Sequence, residues 1–295
     1  MTFRSGFACV VGRPNVGKST LTNALVGGKV AITSTRPQTT RHAIRGILHR
    51  PDAQLVLVDT PGLHKPRTLL GQRLNDIVRT TWSEVDVVGF AVPADEEVGP
   101  GDRFVARELS RLATPVVGIV TKTDKVSPER VAEQLVGLSA VMEFADLIPV
   151  SAAAGFQVGT LADLLIGYLP EGPAFYPDGE LTDEPEETLV AELIREAALE
   201  GVRDELPHSI AVVVEELSAR EGRDDLLDVH AIVYVERSSQ KGIVLGARGE
   251  RMKQVGIAAR RQIEALLGTQ VYLDLHVKIA KDWQRDPRQL RKLGF

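Results

Sequence analysis

The chain has 295 residues and only one cysteine, Cys9, so no disulfide can form within it, and a reducing compartment suits it. No uninterrupted apolar run approaches the eighteen or so residues that a membrane span requires. The apolar start, GFACVVG, is short, and no small-residue cleavage site follows it. It reads as a buried strand rather than a secretory leader. These absences point to the cytoplasm. Hydrophobic residues make up 43 % and charged residues 25 %, the balance of an ordinary globular chain, and the length suggests two domains. No internal repeat is present.

The net charge of −5 hides an asymmetry. Residues 1–172 carry 18 basic and 17 acidic side chains, residues 173–236 carry 4 and 18, and residues 237–295 carry 13 and 5. A basic end of net +8 on an acidic chain calls for an anionic partner. A solvated charged surface would produce the same count, so composition alone does not decide.

The first part alternates short Val- and Ile-rich runs with helical patterns. FACVVG, AQLVLVD, VDVVGFAV, PVVGIVTK and LIPVSA read as strands of a parallel sheet covered on both faces, and HAIRGILH as an edge strand. Helices are expected at about 18–27, 68–83, 101–113, 128–143 and 159–169. The expected fold is α/β, a mostly parallel sheet over 1–172. Residues 173–187 are rich in Pro, Gly and acidic side chains and read as a linker. The remainder, 188–295, reads as a smaller α+β domain ordered helix, strand, strand, helix, helix, strand. Its first helix is expected at about 188–205. The basic tail KDWQRDPRQLRKLGF is expected to be only partly ordered.

GRPNVGKS (12–19) follows an apolar strand and opens a helix, the setting of a phosphate-binding loop. Gly12, Arg13, Pro14, Asn15, Val16 and Gly17 can turn backbone N–H groups toward phosphates. Lys18 can supply charge to the β- and γ-phosphates and Ser19 a hydroxyl to Mg2+, at a helix N-terminus that favours anions. DTPGL follows another strand. Asp59 can hold Mg2+ there, and the loop of Thr60, Pro61, Gly62 and Leu63 can sense the γ-phosphate through the Gly62 N–H. Gln38, Thr39, Thr40, Arg41 and His42 lie between these motifs, where a first switch belongs. Thr40 is chosen over Thr39 as the third Mg2+ ligand. In TKTD, Asp124 can accept two hydrogen bonds from the N1–H and amino group of guanine, which adenine cannot offer, so the nucleotide is expected to be GTP or GDP. Thr121 and Thr123 flank Lys122, whose stem can cover the base. Ser151, Ala152 and Ala153 close the pocket from a further strand end.

In this order and wording the motifs resemble the translation-factor-related GTPases, and specifically the Era family of ribosome-assembly GTPases. GRPNVGKST, QTTRH, DTPGLH and SAA stand as that family has them, and the resemblance covers the whole chain. One departure is Thr121, where the family usually has an asparagine that braces the phosphate loop and contacts the base. This puts nucleotide affinity in question more than base identity.

KGIVLGARGERMKQV (241–255) contains a Gly-x-x-Gly between two helices within the basic segment. This resembles a type II KH domain, whose loop clamps single-stranded RNA by its backbone. Gly246, Ala247, Arg248 and Gly249 form the loop, and Lys241, Arg251 and Lys253 add charge. Gly242, Ile243, Val244 and Leu245 are expected to form the groove floor, although Ile243, Val244 and Ile257 suit a core equally well. The Era resemblance implies the 3′ end of small-subunit ribosomal RNA as ligand, rather than DNA, and a role in late small-subunit assembly. It also implies peripheral contact with the inner face of the membrane.

Many nucleotide switches orient the attacking water with a glutamine after the DxxG glycine. Here that residue is Leu63, which has no donor and no acceptor. The expectation is that Leu63 is not catalytic and that Lys18, Thr40, Gly62 and Asn15 carry the chemistry. Asn15 would help to hold K+ beside the phosphates, with first-switch carbonyls within about 33–38 completing its shell. The rival readings are an RNA-binding placeholder whose nucleotide only locks conformation, and a GTPase of protein or membrane partners with a structural KH-like part.

Overall fold

A computed structural model describes residues 2–34, 39–63, 66, 68–202 and 206–295, without the side chain of Asp224. The chain divides into two compact units, the first holding most residues up to Asp183 and the second holding Glu184–Phe295 together with Ser34, Thr39, Pro66 and residues 68–72.

The first unit contains β1 (Arg4–Val11), α1 (Lys18–Val26), β2 (Ile44–Arg50), β3 (Ala53–Asp59), α2 (Leu69–Glu84), β4 (Val87–Pro93), α3 (Pro100–Leu109), β5 (Val116–Thr121), α4 (Pro128–Ser139), β6 (Asp146–Pro149) and α5 (Val158–Gly167). The strand order is β2-β3-β1-β4-β5-β6, and only β2 runs antiparallel to its neighbour. Every residue of β3 and β4 is buried, as continuous apolar strands covered on both faces must be. Ala8, Val10, Leu57 and Val117 pack with Leu21 and Leu161 of α1 and α5, while Cys9, Val11 and Phe90 pack with Val78, Val105 and Leu138 of α2, α3 and α4. Each such aliphatic side chain contributes about 1.5–3 kcal/mol by leaving water. Val10 lies in register with Asp59, so β1 and β3 end side by side. The loops of a functional site gather at such carboxyl ends.

The stretch expected as a linker is divided. Residues up to Asp183 lie along the edge of this sheet, because buried Gln54 offers both ends of its amide. Its Oε1 accepts from Phe175 N and Tyr176 N at 2.7 and 3.0 Å, and its Nε2 donates to Tyr176 O at 2.8 Å. Edge strand β2 donates from Ile47 N to Leu181 O at 2.9 Å, and Arg45 pairs with Asp183 at 2.8 Å.

The second unit contains α6 (Glu186–Leu199), α7 (Leu206–Ser209), β7 (Ala211–Arg220), β8 (Arg223–Val235), α8 (Ser238–Leu245), α9 (Glu250–Leu267), β9 (Gln270–Ile279) and α10 (Pro287–Lys292). Its sheet runs β7-β8-β9, with the first pair antiparallel and the second parallel. The helix expected over 188–205 stops at Leu199, where Gly201 adopts a positive φ of 69°. The tail is packed rather than partly ordered. Trp283 is fully buried, donates Nε1–H to Ser209 O at 3.0 Å, and stacks on Phe295 at 5.5 Å between centroids. A buried tryptophan of this kind is worth about 3–5 kcal/mol, enough to hold a short basic segment in place.

Candidate nucleotide site and nucleic-acid interface

The phosphate loop joins β1 to α1 at the carboxyl edge of the sheet. Lys18 is buried, and its Nζ donates to Arg13 O at 3.0 Å and Gly12 O at 3.4 Å. Burial pulls its pKa down to about 8, against the opposing pull of Asp59. An ammonium placed where water cannot solvate it gains most from an anion, which is what a phosphate there provides. Asn15 is exposed, with a φ of 65°, and Pro14 is half-buried. The Arg13 side chain turns elsewhere. It donates Nε–H to fully buried Asp102 at 2.7 Å and pairs with Glu96 at 3.0 Å, tying the loop to the start of α3. Any phosphate contact at Arg13 therefore falls to its backbone. Sequence reasoning missed Asp102, which lies 89 residues away and carries no local signal.

Thr121 takes over the brace expected of an asparagine. Its hydroxyl is buried and donates to Val16 O, inside the phosphate loop, at 2.6 Å. Thr121→Ala would leave that carbonyl without its donor, at a cost of about 1–2 kcal/mol. GDP release, followed with a fluorescent analogue in a stopped-flow instrument, is expected to accelerate about tenfold. Thr121→Asn should release GDP no faster than the natural chain. An unchanged release rate in the alanine variant would remove Thr121 from the brace.

Three oxygens meet beside the loop. Ser19 Oγ donates to Asp59 Oδ2 at 2.8 Å, Thr40 Oγ1 donates to the same oxygen at 3.0 Å, and the two hydroxyls are 3.0 Å apart. It is thus the hydroxyl of Thr40 that joins Ser19 and Asp59. Two hydroxyls and a carboxylate are hard oxygen donors, a set that fits Mg2+. Thr39 and His42 are half-buried and Arg41 is buried, whereas Gln38 and the carbonyls of 35–38 lie outside the described residues.

Gly62 approaches the loop closely. A Cβ there would stand 3.1 Å from Pro14 N and 3.2 Å from Lys18 Nζ, so a side chain would fill the space beside the lysine. Thr60 and Pro61 are buried next to it. Leu63 is only 6 % exposed and belongs to the apolar cluster of Val11, Val58 and Val78. Its side chain is a core residue.

At the other end of the site, Ser151 Oγ donates to Asp124 Oδ1 at 2.5 Å and accepts from Ala154 N at 3.0 Å. Lys122, at a φ of 57°, pairs with Asp95 at 3.6 Å, which fixes the end of its stem. Thr123 and Ala152 are half-buried, and Ala153 is exposed.

In the second unit Gly246, Ala247, Arg248 and Gly249 form a tight turn between α8 and α9, with positive φ at Gly246 (74°), Arg248 (52°) and Gly249 (81°). Lys241 sits on α8, half-buried, and Lys253 is exposed, 3.9 Å from Glu250. Arg251 is not a free cation. Its Nη2 donates to Ala198 O and Glu200 O at 2.9 and 2.8 Å, closing the C-terminus of α6, and burial pulls its pKa below the usual range. The sequence offers no sign of a partner some fifty residues away, and one nitrogen of the Arg251 guanidinium is committed to it. The groove beside the turn also differs from expectation. Leu245 lines it, but Val244 is buried and Ile243 is exposed. Met252, Lys253, Ile257 and Arg260 of α9 and Leu273 and Leu275 of β9 are among the other residues that line it.

Residues 7–122 match the family model described as 50S ribosome-binding GTPase, and residues 205–284 match the KH domain model. GTPase Era of Streptomyces coelicolor is 69 % identical over 301 residues, spanning 99 % of this chain and 95 % of that protein. GTPase Era of Mycolicibacterium smegmatis is 69 % identical, spanning 99 % of both chains. Among solved structures, Era in complex with MgGDPNP and nucleotides 1506–1542 of 16S ribosomal RNA is 35 % identical, with a TM-score of 0.95 and 99 % of both chains covered. The same figures hold for an Aquifex aeolicus Era variant bound to GDP and AlF4−. With this identity along nearly its whole length, and with a phosphate loop, an oxygen triad and a Gly-x-x-Gly turn in place, the chain belongs to the Era family of GTPases.

Proposed function

We propose that the protein is a GTP-hydrolysing switch that binds the 3′ end of small-subunit ribosomal RNA through its KH unit and assists late assembly of that subunit. One observation carries the nucleotide half: Ser19, Thr40 and Asp59 converge within 3.0 Å of one another beside the phosphate loop, joining its helix to the first switch and the DxxG strand. The RNA half rests on the Gly-x-x-Gly turn and on the Era structure that holds a 16S ribosomal RNA 3′-end segment.

Ser19, Thr40 and Asp59 would hold Mg2+, which neutralises charge on the β- and γ-phosphates. Lys18 would bind the same phosphates, and the backbone of Gly62 would register the γ-phosphate. Thr121 and Ser151 position the phosphate loop and Asp124, respectively. We place the protein in the cytoplasm, with any membrane contact peripheral and through the basic residues of 281–292. Among the described residues no helix is long and apolar enough to cross a membrane.

Leu63, buried in the core, leaves the charge and the water to other groups. Our reading assigns the charge to K+ held beside the phosphates with the help of exposed Asn15. Steady GTP turnover is expected to be about tenfold or more faster in potassium than in sodium at equal ionic strength. Asn15→Ala should erase the difference. Leu63→Ala should cost about 2–5 kcal/mol of stability but change turnover less than Asn15→Ala does. Equal rates in the two salts would refute the cation role. The burial of Leu63 also suits a second reading, an RNA-binding placeholder in which GTP locks conformation with negligible turnover.

A further inference from the structure

The loop between β4 and α3, residues 94–99, is held from several sides. Ala94 N donates to Thr121 O at 2.8 Å. Buried Gln134 of α4 donates from Nε2 to Pro93 O and Glu96 O at 2.9 and 2.8 Å. Asp95 lies 3.6 Å from Lys122 Nζ and 3.7 Å from Lys125 Nζ, on either side of Asp124. Where the loop enters α3 it meets the phosphate loop through Arg13. The Arg13 stem lies on Gly101, where a Cβ would stand 2.6 Å from Arg13 Cδ and displace it.

Asp102 is the centre of this last contact. Its carboxylate is fully buried, and both oxygens are used. Oδ1 accepts from Arg13 Nε at 2.7 Å, and Oδ2 accepts from Gly99 N at 2.9 Å, closing the first turn of α3. A buried carboxylate is tolerated only when a charged partner and donors compensate it, and the helix cap alone would leave one oxygen bare. Exposed Glu96 adds a pair to Arg13 Nη2 at 3.0 Å, which water and salt screen. The carbonyl of the same Arg13 accepts from Lys18 Nζ at 3.0 Å. One residue therefore joins the buried carboxylate to the lysine that meets the phosphates.

We propose that Asp102 is a positioning residue for nucleotide binding: through Arg13 it fixes the part of the phosphate loop that aims Lys18. The proposal rests on reading that loop as the phosphate site. A carboxylate that only capped α3 would contribute to stability and leave phosphate affinity alone. The test measures GDP and guanosine as competitors of a fluorescent GDP analogue, on the full chain with Mg2+. Guanosine reads the base pocket, and the ratio of the two affinities reads the phosphates.

Asp102→Asn is close to isosteric but keeps one acceptor oxygen, so either Arg13 or Gly99 loses its partner. Arg13→Gln removes the tie and leaves the cap of α3 in place. Each should lower the ratio of GDP to guanosine affinity about tenfold or more, with guanosine affinity unchanged. Combining Arg13→Gln with Asp102→Asn should cost no more than the worse single change, because both remove the same bond. A natural ratio in Arg13→Gln, a natural ratio with a lower melting temperature in Asp102→Asn, equal losses for GDP and guanosine, or additive losses in the double variant would each overturn the positioning role. If the natural chain binds GDP no more tightly than guanosine, the loop is not the phosphate site and the role of Asp102 falls with it.

Discussion

Asp124→Asn is expected to convert the protein from a GTP binder into a XTP binder, with a loss of GTP affinity of about a thousandfold. Guanine presents two donors, N1–H and the amino group, and a carboxylate can accept both. The asparagine amide has one acceptor and one donor, so its N–H2 would face the guanine amino group with no acceptor between them. Xanthine carries an oxygen in place of that amino group and restores the pairing. Ser151 makes the result sharper, because its hydroxyl already donates to Asp124 Oδ1 at 2.5 Å and fixes the orientation of the carboxylate. Competition binding of GTP and XTP to the natural chain and the variant reads the switch directly. A variant that keeps a strong GTP preference would place the base site elsewhere.

Arg248→Glu combined with Gly249→Asp is expected to weaken binding to a 3′-end ribosomal RNA oligonucleotide by about a hundredfold or more, with GTP binding intact. Both changes put carboxylates where phosphates would lie. Gly249 is the better glycine to replace: its φ of 81° strains any side chain, Asp less than most, but a Cβ there meets nothing within 4 Å. At Gly246 a Cβ would stand 2.6 Å from Arg251 Cβ and 3.0 Å from its backbone nitrogen, at a φ of 74°, so any side chain would displace the start of α9. Arg251→Ala provides the contrast. It should lower the melting temperature by releasing the end of α6 and leave RNA affinity nearly unchanged. Unaltered RNA affinity in the double variant would remove the turn from the interface.

The parts of the site that were legible in the sequence are those carried by contiguous residues. The phosphate loop, Asp59, the Lys122–Asp124 segment and Ser151 each sit at the end of an apolar strand, and strands of one parallel sheet deliver such ends to one edge. The strand and helix order of both units, apart from the short α7 and α10, was legible for the same reason, since it depends on local periodicity. What could not be read depends on partners distant in sequence. Arg251 looks like one basic residue among several until Ala198 and Glu200 supply carbonyls for it. Thr121 looks like the loss of an amide until its hydroxyl is seen 2.6 Å from Val16 O. The acidic Pro- and Gly-rich stretch looks free until Gln54 accounts for its backbone groups. The tail looks like solvated charge because five of its last fifteen residues are basic between lone apolar ones, and only packing reveals that Trp283 anchors it.

Leu63 separates the two functional readings. Its burial excludes it from orienting water but leaves open whether other groups do so. Single-turnover hydrolysis of radiolabelled GTP by excess protein, in potassium and magnesium, with and without the 3′-end RNA, decides between a hydrolysing switch and a conformational lock. The predicted result is complete conversion of bound GTP to GDP and phosphate, faster with the RNA present. The contradicting result is GTP that stays stoichiometrically bound and uncleaved in both conditions.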